Sequence, residues 1–187
     1  MQNLDKGVEK LVQELKEKEA AQDELLKITR ESVRDCSVAI KYLHENKIKE
    51  ADERIASAKK AIGQLEKFIE DFHNSVEHAQ QEYAEAVFLK ALIQKKPLPA
   101  VEDLNLSWIS YLNGLMDCVG ELRRELLESL RKGKRKDAEY YFEQMESIFE
   151  SLLPLKFSNS LLPGFRAKQD VARRQVEQAR SELVTSR

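Results

Sequence analysis

At 187 residues, with six glycines, four prolines and 34% charged side chains, the chain suits one domain, residues 1–187, of long exposed helices with little loop. Its 31 basic and 33 acidic residues leave a net charge of −2, which excludes bulk attraction to nucleic acid; any such binding must come from local patches. The first residues hold no apolar signal core, and no apolar run is long enough to span a bilayer, so a soluble, cytoplasmic protein with no membrane partner is expected.

The pattern is helical from the start. Leu4, Val8, Leu11 and Leu15 recur at helical spacing, and Leu25, Ile28, Val33, Cys36, Ile40 and Leu43 continue the stripe to about His44. This predicts one unusually long helix, or two in line. A break near Asn46 leads to a second helix through Ile48, Ile55, Ile62 and Ile69, which runs straight on or bends near Asn74 into a segment ending at Gln94. Pro97-Leu-Pro99 stops it. A further helix starts near Ser107, a good N-cap, and reaches about Arg131. Lys132 to Lys136 is a tight basic connection, Tyr140 to Leu152 lie on the next helix, and Pro154 ends it. Leu155 to Gly164 is a loop, and a last helix covers about Phe165 to Leu183. The expected fold is all-α, an antiparallel bundle of long helices whose apolar stripes exceed what one subunit needs, which favours oligomers. Cys36 and Cys118, inside these patterns and without metal-type spacing, read as small core residues of a reduced protein, with a disulfide as the alternative. Trp108, beside Ile109 and Leu112, reads as core or interface rather than a base-stacking platform.

Within this polar, helical sequence, four acids stand in unusual places. Glu82 and Glu85 are spaced i, i+3, and Asp117 and Glu121 are spaced i, i+4, so each pair shares a helix face. Glu82 lies in register with Ala86, Leu89 and Ile93, and Glu85 with Leu89 and Leu92. Both therefore point along an apolar stripe, where charge is costly unless paired or bound to a cation. Gly114 and Gly120 flank Asp117 at i−3 and i+3; each costs a helix interior about 1 kcal/mol relative to alanine, which a chain tolerates where a neighbouring helix or a substrate must come close. Carboxylate oxygens suit a hard divalent cation, Mg²⁺ or Mn²⁺, able to activate water and neutralise a phosphodiester. The three histidines, His44, His73 and His78, are too scattered for a zinc site, and no glycine-rich phosphate loop is present.

Gln81-Glu-Tyr-Ala-Glu-Ala86 and Tyr111-Leu-Asn-Gly-Leu-Met-Asp-Cys-Val-Gly-Glu-Leu-Arg-Arg124 resemble the translin family, on its TRAX (translin-associated factor X) branch, as does Thr29 to His44. The size, without long insertions, resembles a compact prokaryotic, archaeal member. The resemblance implies a translin-like helical subunit that assembles into a hollow oligomer, an octamer, holding single-stranded or short duplex RNA, or single-stranded DNA, inside. It further implies a Mg²⁺-dependent endoribonuclease in which Glu82, Glu85, Asp117 and Glu121 are catalytic and the first three hold the metal, Mn²⁺ substituting. Cys118-Val119 departs from the Leu-Thr common in the family. Candidates for holding the RNA backbone are Arg30, Arg34 and Lys41 on the first helix, with Arg123 and Arg124 beside the acidic motif as phosphate ligands or ion-pair partners of Glu121 and Glu125. The alternative is a translin-like RNA- or DNA-binding oligomer without catalysis.

Overall fold

Helix α1 (Gln2–His44) runs unbroken for 43 residues, about 65 Å at 1.5 Å per residue. The computed structural model describes residues 2–186, all helix, turn or loop, with no strand among them. Past α1, Asn46 takes a left-handed backbone (φ 58°) that reverses the chain into α2 (Ile48–Leu65).

The predicted passage toward Gln94 is bent, and earlier than Asn74. Glu66–Phe68 form a single 3₁₀ turn, and Phe72 departs from helical angles (φ −137°, ψ 38°) inside α3 (Ile69–Ile93). The bend lets Phe68 enter a small core with Leu25, Leu65, Val76 and Ala79, where burial of the ring outweighs regular helix geometry. After Ile93 the chain turns at Lys95 (φ 54°) ahead of the two prolines. A one-turn helix, α4 (Val101–Leu104), then appears where sequence periodicity was too short to show it; the Ala100 N–H donates to Asp103 Oδ2 at 2.9 Å.

Ser107 caps α5 (Trp108–Arg131) as predicted, its Oγ accepting from the Ser110 N–H at 3.1 Å. Trp108, by contrast, is 51% exposed and outside the core. Gly133 (φ 69°) makes the tight turn into α6 (Arg135–Leu152), and Gly164 (φ 71°) precedes α7 (Phe165–Thr185).

The helices form an all-α bundle around α3 and α5. Helix α1 packs on α2 and α3, α3 on α5, and α5 on α6 and α7. The larger core joins Phe88, Leu122, Leu126, Met145 and Phe165. A second core joins Cys36, Ala39, Ile55, Ala58, Tyr83 and Ala86 between α1, α2 and α3. Both cysteines are buried thiols, which settles the disulfide alternative. The N-terminal part of α1 overhangs this bundle: Leu4, Val8, Leu11 and Leu15 are 48–66% exposed, although Leu25 and Cys36 on the same stripe are fully buried.

Candidate functional site

Gly114 sets the spacing of the α3–α5 contact on which the acids lie. A Cβ there would fall 2.7 Å from Ala84 Cβ, 3.0 Å from the Gln81 carbonyl oxygen and 3.1 Å from the Glu85 nitrogen. The glycine thus lets α5 lie directly on the backbone of the Gln81–Ala86 motif. Gly120 makes room on the other side, with the Gln175 side chain of α7 at 3.0 Å from the site of its missing Cβ.

Glu82, Glu85, Asp117 and Glu121 consequently share one electrostatic neighbourhood. Glu85 is 9% exposed. Burial first, then the charges of Asp117, Glu82 and Glu121, push its carboxyl up to about 8. At neutral pH it holds its proton, the response of a carboxylate among like charges. Burial also raises Glu82, with Asp117 adding to the shift and His78, 3.9 Å away, and Lys168 opposing it.

Two partners already hold Asp117. Lys168 of α7 reaches both of its oxygens, Oδ2 at 2.6 Å, and Gln81 Nε2 donates to Oδ2 at 2.7 Å. Glu121 meets His44, the last residue of α1. The His44 Nε2 lies 2.5 Å from Glu121 Oε2 and its Nδ1 2.5 Å from Glu125 Oε1. Burial alone would lower the His44 pKa, but the hydrogen bonds to the two carboxylates overcome it and raise it. In return, the hydrogen bond from His44, with the charges of His44 and Arg124, holds Glu121 below the usual carboxylate range.

Among the described residues no three His, Cys, Asp or Glu side chains stand as a ready-made cage for a metal ion. Lys168 already engages Asp117, and the Glu85 carboxyl is raised to about 8. The donor set itself fits a hard divalent cation. Glu82 and Glu85 are carboxylates on an apolar stripe, and the cluster relieves its repulsion by binding protons, which a cation would replace.

Two grooves flank the acids. One of about 460 Å³ between α5 and α7 exposes Asp117, Glu121 and Lys168. The other, about 630 Å³, is lined by Lys41, His44, Arg123, Arg124 and Arg131, with Glu45, Glu125 and Glu128 among them, so it is basic on balance. Gly120 lines both.

The predicted phosphate ligands divide accordingly. Lys41 and Arg124 are exposed in the basic groove, 4.0 Å from Glu45 and 3.8 Å from Glu121. Arg123 pairs instead with Glu182 of α7, making it a strut between α5 and α7 rather than a partner of Glu121 or Glu125. Arg30 and Arg34 are exposed on α1 but do not line either groove. Sequence reasoning gave no role to Lys168 or His44, placed Gln81 only within its motif, and paired Glu125 with Arg123 or Arg124, whereas Glu125 meets His44 and Gln81 meets Asp117. For His44 a signal existed, since it follows Cys36 and Ile40 at i+8 and i+4 on the buried stripe. Lys168 offered none, because it joins the site only through the docking of α7.

No family model matches the sequence. Over 184 residues the chain is 31% identical to an uncharacterized protein of Methanocaldococcus jannaschii, covering 94% of this chain and 80% of that protein. It superposes on the crystal structure of AfC3PO with a TM-score of 0.87 and 33% identity over 96% of each chain. The structure of AfC3PO in complex with duplex RNA gives 0.86 and 33%, covering 96% of this chain and 95% of that one. Apo-NeC3PO matches with a TM-score of 0.86 at 21% identity, over 96% of this chain and 97% of that one, and at that identity shows the fold alone. A third of the residues shared with AfC3PO along nearly the whole of both chains, and the same course of helices, place the chain in the translin/TRAX family, to which the C3PO proteins belong.

Proposed function

We propose that the protein is an RNA-binding, Mg²⁺-dependent endoribonuclease of the TRAX type, working on single-stranded or short duplex RNA inside a homo-oligomeric shell. The observation that carries this reading is the meeting of four acids across α3 and α5, where Glu85 is left holding a proton up to about pH 8, with Lys41 and Arg124 lining a second groove on the other side of Gly120. The likeness to AfC3PO, which has a structure in complex with duplex RNA, supports RNA as the substrate. The open stripe Leu4 to Leu15 supports assembly, with the octamer of the family resemblance as the expected count.

Lys41 and Arg124 hold the phosphate backbone in the basic groove, a contact that reads charge and shape rather than sequence, while Arg131 is already paired through two hydrogen bonds with Glu128. Single-stranded DNA offers the same phosphate chemistry and is a second ligand. Glu82, Glu85 and Asp117 are the residues that hold Mg²⁺, or Mn²⁺ in its place, Glu85 giving up its proton on binding. The metal supplies neutralisation of the phosphodiester charge and a more acidic water. Glu121, kept ionised by His44, lies next to the cluster, where its carboxylate would orient the attacking water.

A second reading, an RNA-binding shell without cleavage, is favoured by one observation: both oxygens of Asp117 are already engaged by Lys168 and Gln81. Incubating labelled single-stranded RNA with wild type or Asp117→Asn, in Mg²⁺ or EDTA, separates the two. Metal-dependent cleavage lost in the folded variant supports the nuclease; binding without cleavage by wild type supports the shell.

A further inference from the structure

The ammonium of Lys168 stands beside Asp117 at the edge of the carboxylate cluster. It bridges both oxygens of Asp117. Its charge also reaches Glu82 and Glu85, opposing the upward shift that burial and like charge impose on each. The side chain is 28% exposed and that of Asp117 26%, so the pair is partly shielded from water yet open to the α5–α7 groove. Gln81 holds Asp117 Oδ2 from the opposite helix and supplies no charge. His78 approaches Glu82 on the outer side, and His44 is spent on Glu121 and Glu125. Among the described residues, Lys168 is the one cation in direct contact with Asp117.

We propose that Lys168 is the resident counter-cation of this cluster. It neutralises Asp117 in the metal-free protein, yields it when a divalent cation binds, and then turns its ammonium to a phosphate of the bound RNA in the same groove. The inference rests on the reading of Glu82, Glu85 and Asp117 as metal ligands. Physically it is an exchange: a flexible lysine on a four-carbon stem is a compact charge that relocates easily, and one carboxylate cannot serve it and a dication equally. Lys168 would thus prevent a cluster of unneutralised acids from forming before metal and substrate arrive. It would also set a threshold that weak or dilute cations do not pass.

Mn²⁺ titration of the RNA-free protein, read by the electron paramagnetic resonance of unbound Mn²⁺, tests this without recourse to activity. Lys168→Met should bind Mn²⁺ about three- to tenfold more tightly than wild type, the change that goes with removing a partly exposed ion pair. Lys168→Arg, which keeps the charge, should not show the gain, and Glu82→Gln should bind more weakly than wild type. With Ca²⁺ in place of Mg²⁺, RNA binding by Lys168→Met should lose about one phosphate contact's worth of salt dependence. Equal or weaker Mn²⁺ binding by folded Lys168→Met, with Glu82→Gln still impaired, overturns the role of Lys168 alone. Absence of Mn²⁺ binding in every form overturns the metal reading and this proposal with it. An unchanged salt dependence overturns the transfer to phosphate.

Discussion

His44 and Glu121, 77 residues apart in sequence, meet at 2.5 Å where the end of α1 touches the middle of α5. The imidazole is almost wholly buried, 7% exposed, and its second nitrogen is taken by Glu125. Replacing His44 by alanine leaves the Glu121 and Glu125 carboxylates without the imidazole that hydrogen-bonds both. A loss of about 2–4 kcal/mol in unfolding free energy is expected, read by urea denaturation. The pH dependence gives a separate check. The folded-state pKa of His44 is raised, so its contribution is complete below the ordinary histidine value and disappears as pH rises through the folded value. His44→Gln should flatten that part of the stability profile.

Glu85 works in the opposite chemical sense but with the same sign. Its carboxyl is raised from 4.5 to about 8, so the fold keeps a proton that the unfolded chain releases. Without metal, stability should therefore fall as pH climbs from about 4.5 to about 8, and Glu85→Gln should remove this slope. Divalent-ion affinity should rise over the same interval, because binding must expel the proton. Thermal melts in EDTA and Mn²⁺ titrations across that range check both.

Gly114 and Gly63 make a matched pair for substitution by alanine. At Gly114 the new methyl would meet Ala84 Cβ at 2.7 Å, whereas at Gly63 nothing lies within 4 Å. Gly114→Ala should cost about 1–3 kcal/mol and weaken Mn²⁺ binding by parting α3 from α5. Gly63→Ala should stabilise by about 0.5–1 kcal/mol and leave metal binding alone. Denaturant midpoints of the two variants should move in opposite directions.

The basic groove predicts a division of labour among arginines. Lys41→Glu with Arg124→Glu should weaken RNA binding and reduce its salt dependence, each lost phosphate contact lowering the slope by about 0.7–0.9. Arg123→Ala should act first on stability, because its partner is Glu182 of α7. Filter binding at several salt concentrations, beside urea melts, distinguishes the two effects.

On α1, Leu11→Asp should disturb assembly while sparing the subunit fold, since Leu11 is 57% exposed and belongs to none of the three cores. Light scattering should report a smaller particle with unchanged helical circular dichroism.

Helix boundaries were legible in the sequence wherever a local rule set them: Ser107 as a cap, Asn46 and Gly133 as turns, the two prolines after Ile93. The bend at Glu66–Phe72 was not, because it answers to Phe68 finding a tertiary pocket rather than to any breaker residue. The acids were visible because a charge on an apolar stripe contradicts its surroundings. What holds them was hidden for the same reason the bend was. Lys168 and Arg123 are ordinary charged helix residues until α7 docks, and only then does one meet Asp117 and the other Glu182.

Helix α1 carries an uncovered apolar end at Leu4–Leu15 and, 29 residues beyond Leu15, the imidazole that fixes Glu121. In one rod of about 65 Å, a tilt of about one degree about its seated His44 end carries the free tip about 1 Å sideways. Neighbouring subunits that grip the tip would therefore find slack of that order there while His44 keeps its seat between Glu121 and Glu125, so forming the particle would leave the acids in place.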